Sequence, residues 1–404
     1  MRVVHLSTTD FGGAYKAAER ISASMESVGI DSKVLVRTKS REDTVGIEII
    51  HNPIKKIISK AKNVGNLLFS EGEIISDYFG TDITQNMYVQ EADVIFLHWV
   101  NSFISYRNVE QLLQMNKKII WVMHDMWLFT GGCHCDQYCG KYEGGCGKCP
   151  LIGSQKLEDI SYKNYHRKLK MLNDGQISLV GPSKWLVQCA KKSKITNNNS
   201  IYCIPNPIDD KIFYPKKETK KLREKYGIPL DKHVVMFGAM KAEQDRNKGI
   251  QYLKKAIKRL PSEEYVAVIF GNENSIISEE HAIQIYSMGK IQEEEKMAEL
   301  YNCADVFVAP SLQESFGYTV CEALSCGIPV VAFPVGGIID QIEHRKNGYL
   351  AKYQDEEDII RGIRWAVETR NEKNINLNIL TNNYKEIGKK YLEICGQVII
   401  QNKN

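Results

Sequence analysis

The sequence contains no run of about 18 or more consecutive apolar residues, so no membrane-spanning helix is expected. It has no large excess of positive charge: a net charge of +4 over 404 residues is far from the bias of a nucleic-acid binder, and none is expected as a partner. The opening residues, Met1-Arg-Val-Val-His-Leu-Ser-Thr-Thr-Asp-Phe-Gly-Gly13, read as a strand and a loop, without the charged and apolar regions of a signal peptide. A cytoplasmic location is the expectation. No internal repeat, no low-complexity stretch and no G-x-G-x-x-G fingerprint occurs. No Asp-x-Asp pair stands at a suitable strand end to hold a catalytic metal, and no motif marks a pyridoxal lysine.

What is present is a chain that is 43% hydrophobic and 25% charged, long enough for two domains with separate cores. Apolar runs alternate with helical stretches: Val3–Leu6, Ser32–Val36, Val94–His98, Lys118–Met123, Gln176–Val180 and Ser200–Ile204, then Val234–Gly238, Tyr265–Phe270, Ile283–Ser287, Val306–Ala309 and Val330–Phe333. Such alternation predicts α/β architecture, with parallel sheets and crossover helices in two doubly wound, Rossmann-like domains. Three prolines punctuate the polar segment Ile204-Pro-Asn-Pro-Ile-Asp-Asp-Lys-Ile-Phe-Tyr-Pro215, the expected hinge. The expected domains are 1–205 and 206–383.

The most informative stretch is Glu314-Ser-Phe-Gly-Tyr-Thr-Val-Cys-Glu322, directly after the strand candidate Val306–Ala309. A helix is predicted over Tyr318–Ser325, stopped by Gly327 and Pro329. Glu314 then lies at the carboxyl end of a parallel strand, where open α/β sheets bind ligands. The helix amino terminus behind it offers N–H groups to a phosphate, and Glu322 is near enough to hold a ribose diol. For either glutamate alone, a favourable interaction with the helix dipole is an equally good account. Together, the nine residues resemble the paired-glutamate signature of the family 4 (group 1) retaining glycosyltransferases, which share the two-domain GT-B fold. The likeness runs from the first strand to about residue 350.

That resemblance implies a donor site for a nucleotide-diphosphate sugar, a UDP- or GDP-sugar, in the second domain. Arg246 and Lys248, in Arg246-Asn-Lys-Gly249, would neutralise the diphosphate, Arg as a planar fork and Lys as a point charge. Family members usually carry the first basic residue closer to the strand glycine, where Met240 and Lys241 stand here. The amides of Phe316, Gly317, Tyr318 and Thr319 would bind phosphate. Met288 and Ile291 would line the base pocket. In the first domain, Gly12 and Gly13 after strand one would let the backbone approach the diphosphate, as the facing wall of an interdomain cleft. The glycines of Phe333-Pro-Val-Gly-Gly-Ile-Ile-Asp340 and Asn347-Gly348 match further landmarks but are equally well explained as turns.

On the acceptor side, Trp121-Val-Met-His124-Asp125 ends a strand. The resemblance implies that His124 contacts the transferred sugar, with Asp125 beside it; His98, at the preceding strand end, is expected to shape the acceptor pocket or simply to pack there. It also implies retention without a metal or other catalytic cofactor. Ordinary retaining glycosidases use a carboxylate nucleophile; here Glu314 would instead hold sugar hydroxyls during front-face attack. The family's last helix usually returns to the amino-terminal domain, as residues 384–400 would here.

Five of the eleven cysteines fall between residues 133 and 149, in a glycine-rich loop over 131–150. Cys133, Cys139, Cys146 and Cys149 suit a closed structural Zn²⁺ site, with Cys135 or His134 as substitutes; free thiols or a redox pair are the alternative. His51–Phe69 interleaves lysines with apolar residues at helical spacing. It either lies on an anionic membrane surface, peripheral to the inner face, or is an ordinary amphipathic helix. The resulting expectation is a retaining hexosyltransferase that uses a saccharide or lipid-linked saccharide acceptor in surface polysaccharide synthesis. The rivals are an epimerase-like or phosphorylase-like nucleotide-sugar enzyme, or a catalytically silent scaffold.

Overall fold

Buried, β-branched runs make the strands. Val94-Ile-Phe-Leu97 and Val306-Phe-Val-Ala309 are buried at every position, as expected for parallel strands covered on both faces. The computed structural model describes residues 1–41, 45–46, 74–238, 245–271, 283–371 and 382–401. The candidate membrane stretch His51–Phe69 and the residues Met240 and Lys241 lie outside them.

The chain divides into two compact units, Met1–Pro207 with Tyr384–Asn404, and Ile208–Asn383. In the first, β1 (Arg2–Thr9), β2 (Asp31–Thr38), β3 (Val45–Gly46), β4 (Val94–Leu97), β5 (Lys118–Val122), β6 (Ile177–Gly181) and β7 (Ile201–Cys203) form one parallel sheet. Its order is β3-β2-β1-β4-β5-β6-β7. In the second unit the strands are β8 (His233–Gly238), β9 (Tyr265–Phe270), β10 (Gln284–Ser287), β11 (Val306–Ala309), β12 (Val330–Ala332) and β13 (Gly348–Leu350). They are ordered β10-β9-β8-β11-β12-β13 and are all parallel. Both sheets reverse direction of growth beside their first strand, between β1 and β4 and between β8 and β11. Ligands of open α/β sheets bind outside the carboxyl ends at such a switch point.

Side-chain caps fix where several helices begin. Asp159 accepts from the N–H groups of Ser161 (2.9 Å) and Tyr162 (3.1 Å) ahead of the helix Ile160–Leu172. Ser105 and Asn108 form a reciprocal capping box before Tyr106–Gln114. The helix Tyr384–Gln401 packs on the first unit: Ile387, Tyr391 and Cys395 are fully buried in a cluster with Val3, Ile21 and Phe96.

Two strands were not expected. β3 has two described residues and β13 three, too few to stand out as apolar runs. Gly348, expected as a turn residue, instead opens β13 opposite Val330. A Cβ there would lie 2.4 Å from the Val330 carbonyl oxygen, so close approach explains this glycine, not a left-handed backbone.

Candidate functional site

In the second unit, two loops at the carboxyl ends of β8 and β11 are fastened together. Asp245 accepts from the Asn247 N–H (2.9 Å), which turns the chain through Arg246–Lys248. Gly249 follows in the left-handed region, φ 61°, and a Cβ on it would stand 1.9 Å from the Pro310 carbonyl oxygen. Leu312 donates its N–H to the Asn247 carbonyl at 2.8 Å. This stitching brings Lys248 Nζ to 2.8 Å from Glu314 Oε2, in a half-buried ion pair. Arg246, two residues earlier in the same turn, is exposed.

Glu314 is also held from its backbone. The Gly337 N–H donates to the Glu314 carbonyl (3.0 Å), and Gly336, φ 51°, allows this because a Cβ would sit 1.8 Å from that same oxygen. Gly317, φ 88°, caps the helix Tyr318–Ser325, and no side chain caps that end. Glu314, Tyr318 and Thr319 are half-buried, whereas Phe316 is buried, with its carbonyl accepting from Gln341 Nε2. Glu322 is only 8% exposed, and its Oε2 accepts from the Tyr301 hydroxyl at 3.1 Å. Met288 and Ile291 pack against the core of the unit.

In the first unit, Asp10 opens the loop after β1. Burial opposes its charge, yet the Ser40 hydroxyl and the N–H groups of Ser40 and Arg41, each at 2.6 Å, hold its carboxyl below the usual range. Gly12 then adopts φ 89°, and a Cβ on Gly12 or Gly13 would meet nothing within 4 Å, so the backbone faces open space.

His124 and Asp125 follow β5. A small pocket there is lined by His98, Trp99, Asn101, Trp121, His124 and Asp125, among others. Burial pushes His124 down to about 4, so the ring is neutral at ordinary pH. Burial alone would raise the Asp125 carboxyl, but His134, at 2.7 Å, and the Trp127 N–H hold it below the usual range. Burial likewise opposes charge on His134, and Asp125 outweighs it and raises His134. His98 stands behind His124: it is 2% exposed, its Nδ1 is 2.9 Å from His124 Nε2, and its Nε2 is 2.8 Å from His5 Nδ1.

The loop over 131–150 buries Cys133 and Cys149 and half-buries Cys135, Cys139 and Cys146, none of them in a disulfide. Burial pushes Cys133 and Cys146 up to about 12, with smaller contributions from neighbouring thiols. Among the described residues no group of three or more His, Cys, Asp or Glu is arranged to hold a metal ion. The zinc expectation therefore rests on spacing alone.

Sequence reasoning singled out the ends of β5, β8 and β11 and passed over the supports Asp245, Gln341, Tyr301 and His5; it took Gly336 and Gly337 only as a turn and His134 only as a substitute metal ligand. The Asp245-x-Asn247 turn was a usable signal. The others act across distances of 20 residues or more, or, for His134, across a turn that no pattern announces.

Comparison with known proteins adds a family match over part of the chain. Residues 218–389 match the model described as glycosyl transferases group 1. The chain is 27% identical over 170 residues to the N-acetyl-alpha-D-glucosaminyl L-malate synthase of Bacillus anthracis, covering 39% of this chain and 42% of that one. It spans no more than about half the length of the curated relatives it matches. Among solved structures it is similar to sucrose-phosphate synthase from Thermosynechococcus elongatus, with a TM-score of 0.68, 16% identity and 99% of both chains covered. It is also similar to Anabaena Alr3699/HepE in complex with UDP-glucose, with a TM-score of 0.61, 14% identity, 100% of this chain and 99% of that one. Residues 218–389 thus carry the sequence pattern of the group 1 glycosyl transferases, on a chain whose fold is the GT-B fold of these neighbours.

Proposed function

We propose that the chain is a retaining, metal-independent glycosyltransferase that takes a hexose unit from a UDP- or GDP-sugar. Its acceptor is a saccharide or lipid-linked saccharide in surface polysaccharide synthesis, met in the cytoplasm and at the inner face of the membrane. The observation that carries this reading is the Lys248–Glu314 pair, held at 2.8 Å by fastened loops in front of a glycine-capped helix end. The pair is still partly open to solvent, which screens it and keeps its worth on the order of 1 kcal/mol. Each partner is therefore readily exchanged for a donor, Lys248 for the diphosphate and Glu314 for the sugar hydroxyls. A neighbour of the same fold that holds UDP-glucose supports a nucleotide-sugar donor.

As the glycosidic bond breaks, charge grows on the leaving diphosphate. Lys248, Arg246 and the amides of Phe316–Thr319 stabilise it, in the manner of an oxyanion hole. The diphosphate accepts the proton of the attacking hydroxyl on the same face, so configuration is kept. Glu322 orients the ribose, and the base lies against Met288 and Ile291. Within the first unit, Gly12 and Gly13 leave the backbone open to a phosphate, and His124, Asp125 and His98 serve a sugar and the acceptor.

The test is nucleotide release from a panel of UDP- and GDP-sugars, with and without EDTA. One donor should be hydrolysed slowly and independently of EDTA. Glu314→Ala and Lys248→Ala should each lower turnover about 10²-fold or more, with the fold intact. Normal turnover in both variants would falsify the reading. A structural zinc on Cys133, Cys139, Cys146 and Cys149 completes the proposal: metal analysis of freshly purified protein should find one zinc per chain, and finding none removes it.

A further inference from the structure

His5, His98 and His124 form a continuous row of imidazoles from the core of the first unit to the pocket at its edge. They come from three neighbouring strands: His5 lies within β1, His98 follows β4 directly, and His124 comes shortly after β5. In register His5 pairs with Phe96, so each step to the next strand moves two residues along and keeps the side chains on one face. The contacts are 2.8 Å from His5 Nδ1 to His98 Nε2 and 2.9 Å from His98 Nδ1 to His124 Nε2. The His98 and His124 rings stack at 5.2 Å, and His5 stacks on Phe96 at 4.6 Å.

Two proton arrangements satisfy both contacts, because each neutral imidazole has one donor and one acceptor nitrogen. In one, His5 donates to His98 and His98 donates to His124, which leaves a proton on His124 Nδ1. In the other, every proton is reversed and His124 Nδ1 is bare. The inner end decides between them. His5 is fully buried, and its Nε2 has no hydrogen-bond partner among the described residues. The second arrangement would put an N–H at that atom, and an orphaned buried donor is the rarer defect. The first puts only a lone pair there.

We propose that His5 and His98 are positioning residues that fix the tautomer and the ring plane of His124, so that its Nδ1 presents an N–H to the pocket. The ligand class this suits is an acceptor oxygen, a sugar hydroxyl or a phosphoryl oxygen. Asn101 lines the same pocket, and its buried Nδ2 has no partner among the described residues, which makes it a second donor for such an oxygen. The row is not a proton supply. A net proton leaving through His124 would leave one imidazole with neither nitrogen protonated, since His5 Nε2 has no group from which to replace it. The proposal rests on the reading of His124 as a site residue.

The test uses the full-length protein with labelled histidines, and long-range nitrogen–proton NMR to read the tautomer of His124. The wild type should show the Nδ1–H form. In His98→Phe and in His5→Phe, which keeps an aromatic ring against Phe96, the signal should move toward the Nε2–H form. The kcat of donor hydrolysis should fall roughly tenfold to a hundredfold with little change in KM, as expected from misorientation. Thermal unfolding of each variant reports folding, and His5→Phe serves if His98→Phe does not fold. An Nε2–H form in the wild type, or an unmoved tautomer in both variants, overturns the proposal whatever the activity. His124→Ala separates the two claims. If it turns over normally, the site reading falls and the tautomer claim is judged by NMR alone. If it is inactive while His5→Phe and His98→Phe are fully active, the positioning role falls and the site reading stands.

Discussion

Glu314 owes its place to glycines distant in sequence. A Cβ on Gly336 would occupy the position of the Glu314 carbonyl oxygen, 1.8 Å away, and the residue already sits at φ 51°. Gly336→Ala therefore combines left-handed strain with a displaced Glu314. It should destabilise by on the order of 1–3 kcal/mol or more and lower turnover with it. Gly227 makes a control at φ 65°, because a Cβ there meets nothing within 4 Å. Gly227→Ala should cost about 1–2 kcal/mol from backbone strain and leave turnover alone. Unfolding midpoints and donor hydrolysis check both; equal effects on turnover would show that the close approach does not matter. The glycine pair was visible in the sequence as a turn. Its contact with Glu314 was not, because no local pattern records which carbonyl a turn will meet 22 residues away.

At the scale of elements, the histidine row makes β1, β4 and β5 sensitive to acid. Burial lowers His5 to about 3, His124 to about 4 and His98 well below its ordinary value. An unfolded imidazole titrates near pH 6.5. As pH falls from there toward 4, the unfolded chain therefore takes up protons that the folded strands refuse, and stability falls with pH. The His134–Asp125 pair opposes this, because His134 is raised and holds its proton more readily when folded; one histidine stands against three. Denaturant unfolding between pH 7 and 5 should show the loss. His5→Phe should flatten the slope increasingly as pH falls, approaching about 1.4 kcal/mol per pH unit near pH 5, the share of one full proton. A slope unchanged by that substitution would refute it. Most strands were legible as apolar runs, and the helix Tyr318–Ser325 was legible from its glycine and proline stops. His98 and His124 drew attention as strand-end residues. His5 did not, because a histidine inside a buried run becomes informative only when strand order and register are known.

At the scale of the molecule, the chain's last described helix belongs with its first unit. In the sequence only the resemblance suggested this helix and where it would dock. The packing is close: a Cβ on Gly388 would lie 2.1 Å from the Ser24 carbonyl oxygen, and Tyr391 meets Phe96 edge to face at 5.7 Å. Ile387, Tyr391, Ile394 and Cys395 are buried there, beneath the strands that carry His5 and His98. Burying a large apolar side chain stabilises by about 1.5–3 kcal/mol, so Ile387, Tyr391 and Ile394 contribute an amount comparable with the 5–15 kcal/mol that typically holds a whole domain. A chain ending at Asn383 should therefore lose the cooperative unfolding of its first unit. Its second unit, which holds the Lys248–Glu314 pair, should still unfold cooperatively and still be stabilised by UDP or GDP. Gly388→Leu should weaken the first unit in the same direction without removing any residue. Calorimetry with and without nucleotide distinguishes the outcomes. If both units melt as in the intact chain, the helix is dispensable. If nucleotide stabilisation also disappears, the second unit depends on the first.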